Sequence, residues 1–472
     1  MLFNSIEFLV FCPLVFLLYW IVKGVKWQNV VLLAASLCFY GWWDARFLLL
    51  IAIVCFVSYH TAIFIEKSQC QGRKGRWWLL LCATVTLGIL GLFKYYNFFV
   101  ENFVQLLGSV GVKADVPTLY LILPVGISFY TFQSLGYCID VYRKTIRATH
   151  NALDYFTFIA FFPQLVAGPI ERASHMLPQI QRVRAFSYET SVSGLRLMLW
   201  GFFKKCIVAD CCATVVDSVF AAWGNYSSLE LFVAAFLFSI QIYADFSGYC
   251  DIAVGTARLF GVQLTMNFRT PYFSVSIKDF WRRWHISLMT WFRDYVYIPL
   301  GGNRKGRFHT ICNVFCVFLL SGLWHGAMWT FVLWGAWHAM WLTIHNSVSR
   351  VSFLPMKSQR KQVVGVLVTF IIVLFGWIIF RAPSVSEAIQ YTVTVVNPVQ
   401  WSVSYQFSRL PLFWSALMLI SEFAGRNALC PLDLLPQGDG PNRAVRLGVY
   451  YVLILVILLF ANSGQEFIYF QF

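Results

Sequence analysis

The sequence predicts an all-α integral membrane protein, and three observations carry that expectation. Of the 472 residues, 59% are hydrophobic and only 12% are charged. Soluble chains are nearer a quarter charged, so this one lacks the polar side chains to cover a water-facing surface. Aromatic residues make up 18%, including 19 Trp, and Trp and Tyr settle at the membrane–water boundary. The apolar residues are also gathered into runs of spanning length.

A run of about 20 apolar residues crosses ~30 Å of hydrocarbon. Residues 6–22, 27–43, 47–65, 77–100 and 119–139 are of this kind, as are 229–243, 308–324, 328–344, 363–380, 410–423 and 445–460. That makes about 11 spans. Two further segments read as partial or re-entrant. Residues 153–170 are broken by Pro163, Gly168 and Pro169, and residues 193–213 are interrupted by Lys204 and Lys205. Such segments are stable only inside protein or beside a water-filled cavity. The first run has no basic stretch before it and no small-x-small cleavage site after it, so it reads as a retained span.

The net charge of +15 is distributed in short basic loops between spans, at 23–26, 67–76, 143–147, 269–307, 350–361 and 426–446. That pattern marks cytoplasmic loops and not a nucleic-acid surface. Residues 101–117 and the turn at Asp44 are poor in basic residues, which sets the N-terminus and the C-terminus outside. The 13 cysteines lie mostly within apolar runs, with no disulfide framework and no paired zinc motif, so they read as packing residues and no metal is expected. With no repeat or low-complexity tract, residues 1–472 read as one polytopic domain with its core motifs at 120–345.

Polar and charged residues are concentrated at 241–326, between apolar flanks, and ionisable groups near a span point to a site. Ser321-Gly322-Leu323-Trp324-His325-Gly326 ends one run. Its glycines should weaken the helix locally and aim His325 at a cavity. There an imidazole could take a proton from a hydroxyl. A histidine packed against a neighbouring helix is the plainer alternative. In Asp279-Phe280-Trp281-Arg282-Arg283-Trp284-His285, helical spacing puts Trp281, Trp284 and His285 on one face, as in an interfacial amphipathic helix. Asp245 and Asp251 fall on different faces, and Gly248 is a candidate helix break between them. Asp245 is read as pairing an arginine or holding a histidine tautomer. Gln241, Tyr243, Asp245 and Trp324 are candidates for lining a passage. There is no GxSxG, Walker A or HExxH sequence, which disfavours serine-hydrolase, ATP-driven and zinc-protease chemistry.

Taken together, several of these motifs resemble the membrane-bound O-acyltransferase family. They are Asp245-Phe246-Ser247-Gly248-Tyr249, Asn267-Phe268-Arg269-Thr270-Pro271-Tyr272, Phe280-Trp281-Arg282-Arg283-Trp284-His285 and the segment ending in Trp324-His325-Gly326. Upstream, Pro124-Val125-Gly126-Ile127-Ser128-Phe129-Tyr130 and 162–170 fit as well. The opening Leu2-Phe3-Asn4-Ser5 and the ending 467–472 are similar to the alginate O-acetylase branch.

The resemblance implies a ring of helices around a central tunnel, with His325 as the catalytic histidine and His285 as the second implicated position. It implies no bound cofactor. The donor would be a cytoplasmic acyl thioester, acetyl-CoA or an acyl carrier protein, and the acceptor an extracytoplasmic polysaccharide. The implied partner is a periplasmic or membrane-anchored SGNH-type acetyltransferase, and the implied location is a bacterial inner membrane. Three rival readings are D-alanyl transfer to teichoic acid, transport of a lipid-linked sugar and a scaffold for a secreted acetyltransferase.

Overall fold

The computed structural model describes residues 1–113, 116–119, 121–351, 359–401, 407–461 and 467–468. Most of the basic loop 350–361 and residues 469–472 of the ending motif lie outside them. The described residues fold into helices, with no strand among them. They form two compact units, one of residues 1–191 with 257–265, the other of 192–256 with 266–472.

The first unit contains α1 (Ile6–Ile21), α2 (Val25–Gly41), α3 (Leu48–Cys70), α4 (Arg76–Leu90), α5 (Tyr96–Ser109), α6 (Ile127–Tyr142), α7 (Ala152–Ala160), α8 (Phe162–Leu165) and α9 (Ala173–Gln181). A serine begins the first helix, Ser5 accepting the Phe8 N–H at 3.3 Å. Polar residues buried in this unit are paired across elements. Asn29 of α2 donates to Asp154 of α7 at 2.9 Å, and the Tyr19 hydroxyl donates to the Phe260 carbonyl at 2.9 Å. The span expected at 119–139 begins later than its hydropathy implies. Residues 121–126 are non-helical, Pro124 lacks an N–H, Gly126 has φ 75°, and α6 starts only at Ile127. The broken segment at 153–170 is two short helices, α7 and α8, as its prolines and glycine led us to expect.

The second unit follows with α10 (Tyr188–Phe202), α11 (Asp210–Ala221), α12 (Ser228–Leu259), α13 (Ile277–Arg283), α14 (Ile286–Phe292), α15 (Gly306–His325), α16 (Trp329–Val351), α17 (Gln359–Arg381), α18 (Val385–Val396), α19 (Leu410–Ala424) and α20 (Pro441–Phe460). The sequence reading missed α18, whose start is capped by Ser384. That start is a serine N-cap and not a reciprocal box: Ser384 accepts the Glu387 N–H at 3.2 Å, and its hydroxyl, not its backbone N–H, donates to the Glu387 carboxylate at 3.2 Å. Residues 193–213 are helical throughout and not interrupted at their lysines. A π-helical turn, Phe203–Ala209, joins α10 to α11 without a break, and both lysines within it are buried.

Among the described residues, six helical segments are long and apolar enough to cross a bilayer, namely Ala45–Cys70, Arg76–Ser109, Ser228–Leu259, Gly306–His325, Gln359–Arg381 and Pro441–Phe460. This is a multi-pass membrane protein.

Two glycines, one expected to break its helix and one to weaken it, lie inside unbroken helices. Gly248 lies within an unbroken α12, where it lets α10 approach. A Cβ at Gly248 would stand 2.8 Å from the Gly201 carbonyl oxygen. Likewise α15 runs through Gly322 to His325, and a Cβ at Gly322 would stand 2.2 Å from the Phe331 oxygen on α16. Small residues that bring backbones together are how membrane helices gain van der Waals contact. Gly335 does the same from the α16 side, 2.2 Å from the Phe318 oxygen. Gly335→Ala is expected to force α15 and α16 apart and cost about 1–3 kcal/mol. An earlier thermal transition of the detergent-solubilised protein reads this.

Candidate functional site

The two candidate histidines come from opposite ends of their local structures. Ser276 caps α13, accepting the Asp279 N–H at 3.2 Å. The helix stops at Arg283, Trp284 is extended at φ −100°, ψ 127°, and His285 is left-handed at φ 44°, ψ 53°. Trp281, Trp284 and His285 therefore do not share one helical face. The chain breaks between them, and all three are buried. His325 is the last residue of α15, with the extended Gly326 terminating the helix behind it.

The break turns the His285 ring towards His325, and their centroids lie 6.4 Å apart. Aromatic rings enclose the pair. Phe246 is 4.8 Å and Trp324 5.8 Å from His285, while Trp334 is 5.1 Å and Phe380 5.5 Å from His325. A third imidazole, His338 of α16, lies 5.0 Å from Trp334 and 4.9 Å from Trp281. His325 is 4% exposed, His285 1% and His338 0%. Neither ring nitrogen of His285 or His338 has a hydrogen-bond partner among the described residues. In a site this buried, a dipole or proton acceptor acts on a reacting group with little screening by water.

Beside it in the same unit is a cavity of about 350 Å³. Lys204, Tyr243, Asp251, Phe268 and Glu422 line it together with Arg269 and Arg426, which are exposed. Its polar floor is a buried charge network. Lys204 Nζ is 2.6 Å from Asp251 and 3.6 Å from Glu422, and it donates to Ser247 Oγ at 2.9 Å. The Tyr243 hydroxyl donates to Glu422 at 2.7 Å. The Phe268 ring is 6.3 Å from His285, so one ring of the cavity wall neighbours that histidine.

Of the passage candidates, Tyr243 lines this cavity; Gln241, Asp245 and Trp324 are not among its lining residues. Asp245 pairs with Lys205 at 2.9 Å, not with an arginine or a histidine, and it accepts the Ile468 backbone N–H at 2.7 Å. Phe467 and Ile468 thus pack against α12, with the Phe467 ring 4.8 Å from Tyr249. Trp324 is a wall of the histidine box, and Gln241 is buried on α12. The sequence reading missed the roles of Lys204, Lys205 and Glu422. Two consecutive lysines in an otherwise apolar helix were the available signal, since charge at that depth needs a partner.

The comparisons agree with this architecture. The model of the membrane-bound O-acyltransferase family matches residues 32–382. A relative described as "Probable alginate O-acetylase" from Pseudomonas putida is 38% identical, with all of both chains covered. A peptidoglycan O-acetyltransferase of Helicobacter pylori is 35% identical over 83% of this chain and 79% of its own. A teichoic acid D-alanyltransferase of Bacillus subtilis is 26% identical over 69% of this chain and 84% of its own. With its helical membrane architecture and a match of this extent, the chain belongs to the membrane-bound O-acyltransferase family and is an O-acyltransferase.

Proposed function

We propose that the chain draws an acetyl group from a cytoplasmic thioester and passes it outward to hydroxyls of a polysaccharide, with His325 as general base. The observation that carries this reading is the enclosed pair of imidazoles with centroids 6.4 Å apart. The acceptor oxygen attacks the thioester carbonyl carbon as His325 takes the hydroxyl proton. His285 stabilises the oxyanion of the tetrahedral intermediate. The C–S bond then breaks, and the leaving thiolate recovers the proton from His325. No group beyond the two substrates is consumed.

Donor recognition is assigned to the neighbouring cavity. Arg269 and Arg426 belong to loops whose basic character sets them on the cytoplasmic side. Exposed guanidinium groups over a polar floor suit the phosphates of acetyl-CoA or the acidic surface of an acyl carrier protein. The inner bacterial membrane, an outward N-terminus and completion of transfer by an SGNH-type partner belong to the same reading.

The test uses membrane vesicles, radiolabelled acetyl-CoA and the acetyl ester formed on envelope polysaccharide. Arg269→Ala with Arg426→Ala is expected to raise the KM for acetyl-CoA roughly tenfold, the loss of about 1.4 kcal/mol of binding. The rate at saturating donor should be kept, and added salt should weaken the wild type towards the variant. An unchanged KM would remove this cavity from the donor's path.

A further inference from the structure

The first turn of α14 is capped from a distant segment. A helix begins with N–H groups that have no partner within it, and the residue before it ordinarily supplies a side-chain acceptor. That residue here is His285, which makes no such bond. Asn267 supplies the acceptors instead. Its main-chain carbonyl accepts the Ile286 N–H at 3.0 Å, and its Oδ1 accepts the Ser287 N–H at 3.1 Å. The Arg269 N–H adds a third rung by donating to the Arg283 carbonyl at 3.0 Å.

The arrangement holds an unfavourable backbone. Left-handed geometry is costly for any residue with a Cβ, and His285 (φ 44°) and Thr270 (φ 43°) both adopt it, one on each side of these rungs. Such a conformation persists only where the surroundings over-determine it. The Asn267 amide is itself fixed, since its Nδ2 donates to the Cys250 sulfur on α12 at 3.5 Å and the residue is 1% exposed. Because Asn267 does the capping, the His285 ring is released from that duty and lies against Phe246, Trp324 and His325.

We infer that Asn267 is a positioning residue for acyl transfer, holding His285 in the left-handed turn that presents its imidazole to the reacting atoms. This rests on the role given to His285 above. Asn267→Leu keeps the branched shape and removes the acceptor, Asn267→Ala removes both, and Asn267→Asp keeps an oxygen for the Ser287 N–H.

In vesicles supplied with acetyl-CoA, the Leu and Ala variants are expected to lose about tenfold or more in rate at saturating donor. Their KM should stay within about twofold, and the Asp variant should stay within about threefold of wild type. Combined with His285→Ala, Asn267→Leu should cost nothing further, because its effect passes through that ring. Rates are taken per amount of protein in the membrane, and either the Leu or the Ala variant suffices if only one accumulates. If neither accumulates, or if the losses multiply in the double variant, Asn267 serves the fold and the inference is overturned. It is also overturned if Asn267→Leu transfers at the wild-type rate. A fully active His285→Ala instead removes the role of His285, and the inference with it.

Discussion

Replacing His325 by alanine is expected to lower acetyl transfer by about 10²–10⁴-fold, the usual contribution of a positioned general base. The ring touches Trp324, Trp334 and Phe380, so alanine also leaves a gap in a packed box. Glutamine separates the two effects. It fills most of the ring's volume but accepts no proton at neutral pH. The proposed chemistry requires both variants to fail alike, whereas a histidine that only packs would leave His325→Gln close to wild type. Base-released acetate from envelope polysaccharide, normalised to protein in the membrane, measures the difference.

The second large effect is on stability. Lys204→Met is expected to cost about 3–5 kcal/mol, the usual penalty for leaving a buried charge without its partner. Asp251, 2.6 Å from the ammonium, and Glu422, 3.6 Å away, would both lose compensation where their side chains are under a tenth exposed. Adding Asp251→Asn and Glu422→Gln to Lys204→Met should recover most of the loss, because no unpaired charge then remains. The thermal transition in detergent reads both steps. The contrast is Asp279 with Arg283, an i,i+4 pair at 3.1 Å whose side chains are 23% and 36% exposed. Breaking that pair should cost no more than about 0.5 kcal/mol. An equal shift from the two pairs would contradict the buried network.

Hydropathy made most of the helices legible, because a span must satisfy its own backbone and therefore reads as a long apolar run. It failed where an apolar stretch is not helical. Residues 121–126 are apolar enough to extend a span, yet the chain there is non-helical up to Gly126. Glycine carried a double meaning. Gly248 and Gly322 read as flexible points in one dimension, but their missing Cβ atoms let a neighbouring helix approach.

The site was legible in its residue types and obscure in its geometry. His325 and His285 stood out as imidazoles among apolar residues, and the structure brings them together. The turn that does so depends on Asn267, 18 positions before His285 in the chain, and no local pattern around His285 encodes that cap. Asp245 and Asp251 were correctly assigned to different helical faces. Their partners, Lys205 and Lys204, lie on another helix, and the lysines looked like interruptions because their counter-charges were out of sight.

Action of His325 on a thioester entering from the cytoplasm is the proposal on which the rest stands. Its most direct test compares inside-out and right-side-out membrane vesicles, each given radiolabelled acetyl-CoA on the outer surface. Labelled acetyl ester is expected on polysaccharide only in inside-out vesicles, and none there with His325→Gln. Labelling of right-side-out vesicles alone, or undiminished labelling of inside-out vesicles carrying His325→Gln, would contradict it.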